Sequence, residues 1–327
     1  MLNRRAFLHA MSASLFAAPF AVQAQQTGKV WRIGWLSPTS SRSGASELEA
    51  LRDGLRERGY IEGRNVTIEA RWADGEPAAL PALARSLVQL KVDVICPAGT
   101  QASLAAKQAT TVIPIVFAAV AFPDETGLVA SYARPGPNIT GVAFIGPEYG
   151  KRLELLRQVS PRLARVALLY NDNNPASLRA LKETRSWAER LGVALEPYGV
   201  HRTEDVEPVF AAIARNRPGA LMTTADPLVT SHRREIVDFV AKHRLLSIYP
   251  NRDFIEAGGL MFYGTSTTDM YRRAAAYVDR ILRGARAADL PVEQPTKFDM
   301  IINLKVAKAL GITIPRSVLI RADKLIE

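Results

Sequence analysis

The feature that most constrains the fold is an alternation of short apolar runs with amphipathic helical windows, which begins at Val30. Such an alternation is typical of parallel strands joined by helical crossovers. The strand Val30–Leu36 is followed by a helix over Glu47–Arg58, which is predicted to end at Gly59. The first series closes with the strand Ile113–Ala118. The sequence therefore predicts an α/β protein.

The same order of parts starts again after the Pro/Gly-rich segment Arg134–Pro137. The strand Arg165–Tyr170 repeats the first-strand pattern, and a helix ending at Gly192 follows it. A later helix is predicted across Ser231–His243. A chain of 327 residues also exceeds the usual single domain of roughly 100 to 200 residues. We therefore predict two Rossmann-like lobes of one topology, each with a parallel sheet.

The N-terminal segment has the pattern of an export signal. Arg4 and Arg5 precede the apolar stretch Ala6–Ala24, which contains no acidic residue and ends in small residues suited to signal peptidase. The arginine pair resembles the twin-arginine consensus, although the general secretory route stays open. A membrane anchor is the alternative, but polar residues interrupt the stretch, which falls short of about 20 apolar residues. Cleavage near Ala24 and a periplasmic location are predicted.

Charge and motifs exclude several classes of function. The formal net charge of +10 is spread along helix faces beside acidic residues, which argues against a nucleic-acid partner. Nucleophile elbows, dinucleotide fingerprints, phosphate loops and zinc-binding histidine pairs do not occur in the sequence, so we expect no enzyme, no cofactor and no metal. Cys96 is the single cysteine and is predicted to be a small buried hydrophobe.

Polar residues collect where the predicted strands end, and open parallel sheets bind ligands at that edge. Asp226 is the preferred partner for a ligand ammonium group, with a helix N-cap or a hinge salt bridge as the alternative. Ser37 and Thr100 would suit a carboxylate. Four aromatic residues at or near strand ends could form one wall of the ligand site, with burial in the core as the alternative for each of them. They are Trp35, Phe122, Tyr170 and Tyr249. The candidate ligand-binding residues are Ser37, Thr39, Gly99, Thr100, Phe122, Asn171, Thr224, Asp226 and Tyr249.

Five segments carry a resemblance to a known family: Gly59–Asn65, Ala98–Thr100, Leu128–Gly136, Gly258–Gly264 and Asp289–Thr296. Together they resemble the ABC-transporter substrate-binding family that includes tryptophan receptors, and the likeness extends over residues 30–327. The resemblance implies the type I periplasmic-binding-protein fold, a three-strand hinge and no catalytic chemistry. One departure is the turn 121–124, where relatives commonly have a Gly-Asp-Pro-like sequence and Phe122 offers a stacking surface.

The same resemblance implies where the chain is divided. After a signal peptide over residues 1–24, the first lobe is expected to contain residues 30–144 and about 265–294. The second lobe is expected to contain residues 146–264 and about 295–327. The crossovers would then fall near Ile145, Gly264 and Pro295.

The predicted function is an extracytoplasmic solute-binding protein of an ABC importer. An amino acid or a small organic acid, aromatic acids included, would bind between the lobes and be held by hinge closure. The expected partners are this ligand and an ABC permease in the inner membrane, and the chain itself is expected to be a monomer. The alternatives are a ligand-sensing subunit for a membrane sensor and an exported α/β enzyme.

Overall fold

A computed structural model of the chain describes residues 29–144, 148–294 and 296–327. The first of its two sheets contains five parallel strands in the order β2-β1-β3-β4-β5. Their bounds are β1 (Trp31–Ser37), β2 (Val66–Trp72), β3 (Val94–Pro97), β4 (Ile115–Val120) and β5 (Ile139–Ala143). Because β1 lies inside the sheet, its residues are buried from Ile33 onward.

The second sheet has seven strands in the order β12-β11-β10-β9-β8-β6-β7. All its pairs are parallel except β10 with β11. The strands are β6 (Arg165–Asn171), β7 (Ala194–Val200), β8 (Ala220–Thr223), β9 (Leu246–Tyr249), β10 (Met261–Gly264), β11 (Asp299–Asn303) and β12 (Lys324–Ile326). The predicted α/β fold with two parallel-dominated sheets is confirmed.

Helices cover both sheets. In the described part of the chain they are α1 (Ala45–Arg56), α2 (Leu80–Gln89), α3 (Gly99–Ala109), α4 (Glu148–Val159), α5 (Pro175–Leu191), α6 (Val206–Asn216), α7 (Pro227–Ser231), α8 (Arg233–Lys242), α9 (Asp253–Glu256), α10 (Thr267–Leu282), α11 (Leu304–Leu310) and α12 (Arg316–Leu319). Short 3-10 helices occupy Pro77–Ala79, Thr203–Asp205 and Ala287–Asp289. None of the helices in these ranges is long and apolar enough to span a membrane.

The helix α10 comes late in the sequence but packs against α1, β4 and β5 of the first sheet. It begins where the Ser266 hydroxyl accepts a hydrogen bond from the Asp269 amide. The close approach to α1 depends on Gly54, because a Cβ atom there would lie 2.6 Å from the Arg272 carbonyl oxygen. We call the first sheet with its helices, including α10, the first lobe, and the second sheet with its helices the second lobe.

Two predicted helices of the second lobe are present, and one short helix was not predicted. The helix ending at Gly192 is confirmed, since α5 stops there with Gly192 in the left-handed conformation (φ 63°). The helix predicted across Ser231–His243 is confirmed within two residues as α8, and across a break at His232 it is preceded by the separate short helix α7. The reason is local: Asp226 caps a separate short helix at Pro227, so the helical region starts earlier than predicted.

The described segments change from one lobe to the other three times along the chain. Two of the predicted crossovers, near Ile145 and Pro295, lie outside the described residues. At the third, β10 ends at Gly264 in the second sheet, and α10 begins at Thr267 on the first. The last strands, β11 and β12, belong to the second sheet. Neither lobe is therefore built from one continuous segment.

Candidate functional site

The two lobes touch along the edge where the parallel strands end. Gln101 of α3 donates a hydrogen bond from Nε2 to the Asn173 carbonyl oxygen of the second lobe at 3.3 Å. A Cβ atom on Gly99 would lie 3.1 Å from a ring carbon of Pro227, so the backbones approach closely there. Ala176 and Ala180 of α5 belong to the same apolar cluster as the core of the first lobe. The candidate site lies in this interlobe cleft.

Asp226 is the centre of a buried polar cluster on the second lobe, made of Asn171, Asn174, Ser177, Thr224 and Asp226. Its Oδ1 accepts hydrogen bonds from the amides of Leu228 at 2.9 Å and Val229 at 3.2 Å, which caps α7. Three side-chain donors complete the set: Asn174 Nδ2 at 2.7 Å, Asn171 Nδ2 at 3.3 Å and Ser177 Oγ at 3.5 Å. The capping role allowed by the sequence is thus observed.

The carboxylate of Asp226 has no capacity left over in this arrangement. Five protein donors surround its two oxygens, and the residue is 1% exposed. Burial raises the pKa of Asp226, while the hydrogen bonds from Asn174, Val229, Asn171 and Leu228 lower it. The interaction of Asp226 with a ligand ammonium group stays a prediction.

The predicted residues of the first lobe are all buried at strand ends. The hydroxyls of Ser37 and Thr39 are 3.0 Å apart just after β1. Gly99 and Thr100 are the first two residues of α3, and Gly99 has a left-handed φ of 73°. The structure therefore brings the ends of β1 and β3 together, and Thr39 is the member that borders a cavity.

The two predicted aromatic contacts lie in different surroundings. Phe122 sits after β4 with φ 51°, and its ring faces the Arg179 guanidinium of the second lobe at 4.7 Å. Arg179 also donates from Nε to Glu125, so this aromatic residue lies at the junction between the lobes. Tyr249 instead stacks on Phe254 at 4.3 Å within the second-lobe core, as the alternative interpretation of the aromatic residues allowed.

A cavity of about 520 Å³ lies between the lobes, and we call it the interlobe cavity. Its first-lobe wall is the turn after β1 together with the turn after β2. Its second-lobe wall is the 3-10 turn before α6 and the region of α7 and α8. The lining residues are Pro38, Thr39, Ser40, Arg42, Ser43, Asp74, Gly75, Thr203, Leu228, Ser231, His232, Arg233, Arg234 and Glu235. This volume is typical of small-molecule sites.

Three aromatic rings lie behind the first-lobe wall and form what we call the aromatic corner: Trp35, Trp72 and Tyr271. The Trp35 ring centroid is 6.0 Å from that of Trp72 and 5.5 Å from that of Tyr271, and both pairs are tilted by 57°. Trp72 is half-buried and lies against the turn that carries Thr39. Sequence reasoning missed Trp72, although it is the last residue of β2 and the end-of-strand criterion could have found it.

Glu47 is a second residue that sequence reasoning missed. It lies in the first turn of α1, one helical turn beyond the cavity-lining Ser43, and accepts a hydrogen bond from Ser46 Oγ at 3.2 Å. Burial raises the pKa of Glu47 to about 7, with a further increase from the charge of Asp253, while hydrogen bonds from its own backbone amide and from Ser46 and the charge of Arg233 lower it. Both of these charges come from the second lobe, so Glu47 faces it across the cleft.

Metal and thiol chemistry find no support in the described residues. They contain no group of three or more histidine, cysteine or acidic side chains able to hold a metal ion. Cys96 is buried as predicted, and burial raises the pKa of its thiol to about 12. A thiol of this kind is protonated at neutral pH and is a poor nucleophile.

Fold and cleft together define a two-lobed binding protein of the type I periplasmic-binding class. The chain belongs to the ABC transporter substrate-binding protein family, whose model matches residues 34–326. A solved structure from Streptococcus pneumoniae, described as an ABC domain in complex with L-Trp, is 26% identical with a TM-score of 0.84. The match covers 90% of this chain and 99% of that one.

Two further relatives support the same assignment. The structure of a conserved domain protein from Vibrio cholerae is 27% identical, has a TM-score of 0.85, and is matched over 91% of this chain and 100% of its own. A curated tyrosine-binding protein from Clostridioides difficile is 24% identical over 257 residues, which are 78% of this chain and 74% of the relative. The predicted family and its role in solute binding are confirmed.

Proposed function

We propose that the chain is the extracytoplasmic receptor of an ABC importer and that its ligand is an amino acid with an aromatic side chain. The observation that carries this proposal is the interlobe cavity of about 520 Å³, which is lined by both lobes. A ligand in such a cavity contacts both walls only when the lobes are together, so binding stabilises the closed arrangement. The aromatic corner behind the first-lobe wall of the cavity, of which Trp72 is the half-buried member, supports an aromatic ligand, as do the relatives that bind tryptophan and tyrosine.

The remaining parts of the proposal concern location and assembly. We propose export through the N-terminal signal with cleavage near Ala24, a segment outside the described residues. The mature monomer would deliver its ligand to a permease in the inner membrane, without a nucleic-acid partner and without turnover of the ligand. We propose lobe boundaries at residues 144–146, 264–265 and 294–295, which agree with the assignment of α10 to the first lobe.

The test is direct binding to the purified mature chain from Gln25. The twenty L-amino acids, indole-3-acetate and benzoate are screened by thermal shift, and each hit is titrated by calorimetry. A ligand at about 100 times its Kd should stabilise the protein by roughly 2.7 kcal/mol, which is several degrees for a protein of this size. Binding of an aromatic amino acid supports the proposal. If only non-aromatic solutes bind, or none of the panel does, the aromatic ligand class is wrong.

A further inference from the structure

Two opposite charges lie at or near the interlobe cavity on opposite lobes without forming an ion pair: Arg233 lines it, and Glu47 lies one helical turn beyond the lining residue Ser43. Arg233, the first residue of α8, lines the cavity, and its Nη1 donates a hydrogen bond to the Thr230 carbonyl oxygen at 3.3 Å. Within the described part of the chain, no carboxylate lies in ion-pair distance of Arg233. Glu47 likewise has Ser46 as its side-chain hydrogen-bond donor and no ion-pair partner among the described residues.

The surroundings of Glu47 would favour a cation. Tyr271 of the aromatic corner lies close enough for the Glu47 charge to raise the pKa of its hydroxyl, and Asp253 adds a second negative charge from the second lobe. The half-buried Glu47 carboxylate has two protein donors, its own backbone amide and the Ser46 hydroxyl, and no cation of the described chain in ion-pair distance, so a ligand cation would improve its environment. The polar cluster offers no such opportunity, because five protein donors already surround Asp226.

Arg233 has complementary properties. Its guanidinium suits a carboxylate better than a lysine ammonium would, because its planar group can donate two parallel hydrogen bonds. The hydroxyls of Thr39, Ser40 and Ser43 line the facing wall of the same cavity. Ser40 and Ser43 are 2.9 Å apart and half-buried, so they remain accessible to a polar ligand.

We propose that Glu47 and Arg233 together recognise a zwitterion, with Glu47 binding the ligand ammonium group and Arg233 binding its carboxylate. The aromatic corner then lies on the side of Glu47, where an aromatic side chain attached to the same carbon can reach Trp72. This inference rests on the proposed function and assigns the head group of its ligand. It also replaces Asp226 by Glu47 as the partner of the ammonium group.

The experiment removes one charge at a time from both the protein and the probe. L-Tryptophan, indole-3-propionate, which lacks the ammonium group, and tryptamine, which lacks the carboxylate, are titrated by calorimetry into the wild-type protein, Glu47→Gln and Arg233→Gln. Matched controls are Glu49→Gln on the exposed face of α1 and Arg283→Gln, a remote exposed residue. Circular dichroism and the melting temperature of each variant establish that it folds, and Glu47→Asp replaces any Glu47→Gln protein that does not.

The expected result is a pattern of paired losses. Wild-type protein should bind indole-3-propionate and tryptamine at least tenfold more weakly than L-tryptophan, a loss of about 1.4 kcal/mol. Glu47→Gln should bind L-tryptophan at least tenfold more weakly and no longer distinguish it from indole-3-propionate. Arg233→Gln should bind L-tryptophan at least tenfold more weakly and should no longer distinguish it from tryptamine. Both control variants should keep the wild-type affinities.

The outcomes also separate this inference from the proposed function. If the wild-type protein binds L-tryptophan and Glu47→Gln binds it equally well, the ligand class stands and the role of Glu47 is wrong. If Asp226→Asn, rather than Glu47→Gln, removes the preference for the ammonium group, the original prediction for Asp226 is correct. If the wild-type protein binds none of the aromatic amino acids, the proposed function fails and the zwitterion assignment fails with it.

Discussion

Asp226 and Glu47 are carboxylates at the first turns of two helices beside one cleft, and the structure treats them in opposite ways. Asp226 is fully buried and accepts five hydrogen bonds from the protein. Glu47 is half-buried, has one side-chain donor, and faces the charges of Asp253 and Arg233. A buried carboxylate whose oxygens are fully hydrogen-bonded by the protein stabilises the fold, whereas a carboxylate with few protein donors near a cavity can bind a ligand.

The largest effect that would test this difference is the loss of Asp226. Replacement by Ala leaves the Leu228 and Val229 amides and the Asn174 side chain without their acceptor, so we expect the folded state to lose about 2 to 4 kcal/mol. Asp226→Asn keeps one acceptor oxygen and should lose clearly less. Thermal and urea unfolding of both variants measure this. A melting temperature within one degree of wild type for Asp226→Ala would contradict a structural role.

Glu47 should have the opposite influence on stability. Its pKa is about 7 when folded against an ordinary 4.5. The folded state therefore binds this proton more tightly, and the resulting stability is fully present below pH 4.5 and is lost as the pH rises through 7. Glu47→Gln should be more stable than wild type at pH 8, by up to about 3 kcal/mol, and should differ little near pH 4.5.

The measurement is the difference in melting temperature between Glu47→Gln and wild type across pH 4.5 to 8. The shared pH dependence of Glu183 and Asp226, whose pKa values burial also raises, cancels in that difference, whereas Asp253 is coupled to Glu47 and contributes to it. The charged neighbours that set the effect are Asp253 and Arg233, while Tyr271 stays protonated throughout because its pKa is raised well above 10. A difference that is constant across this pH range would show that Glu47 is solvated like a surface residue.

A smaller effect is expected where Arg179 joins the lobes. Its ion pair with Glu125 is partly exposed, so its contribution to closure should be at most about 1 kcal/mol, with a small addition from the Phe122 ring. Arg179→Ala should weaken the affinity for a bound amino acid about two- to fivefold, and less so at high salt. Arg190→Ala, on the same helix over Trp187, is the control. An unchanged Kd would show that this contact does not stabilise the closed lobes.

The smallest effect should follow from Ser177→Ala. The Ser177 hydroxyl lies 3.5 Å from Asp226 Oδ2 and 3.3 Å from Thr224 Oγ1, both near the outer limit of a hydrogen bond. With four closer donors remaining on Asp226, we expect a loss below about 1 kcal/mol, measured by urea unfolding. A loss as large as that of Asp226→Ala would mean that the polar cluster acts as one unit and that its members cannot be ranked by distance.

Sequence reasoning succeeded where local patterns determine the structure. Apolar runs predicted the first strand of each sheet, β1 and β6, and Gly192 predicted a helix end. It placed α8 within two residues but missed the short helix α7, because the Asp226 cap decides where α7 starts and a cap competes with periodicity over a single turn. Patterns of one strand or one helix contain this information, and so they suffice for the fold.

The candidate site was less predictable for a different reason. Strand-end positions pointed to Thr39, which borders the interlobe cavity, and equally to Tyr249, which stacks in the core. The sequence did not identify Glu47 as a site residue, because acidic residues are common in the first turn of a helix. Its importance depends on Asp253 and Arg233, which lie about 200 residues away in the sequence and meet it only in the folded protein.

The position of α10 in the sequence also sets the order in which the molecule can be assembled. The face of α1 that packs around Gly54 stays uncovered until α10, residues 267–282, has left the ribosome, because that helix supplies the opposing surface. By then five of the seven strands of the second sheet have been synthesised. Contacts between segments so far apart in sequence are slow to form. A nascent chain should therefore hold an unfinished first lobe throughout synthesis, and protease resistance of that lobe should appear only at its end.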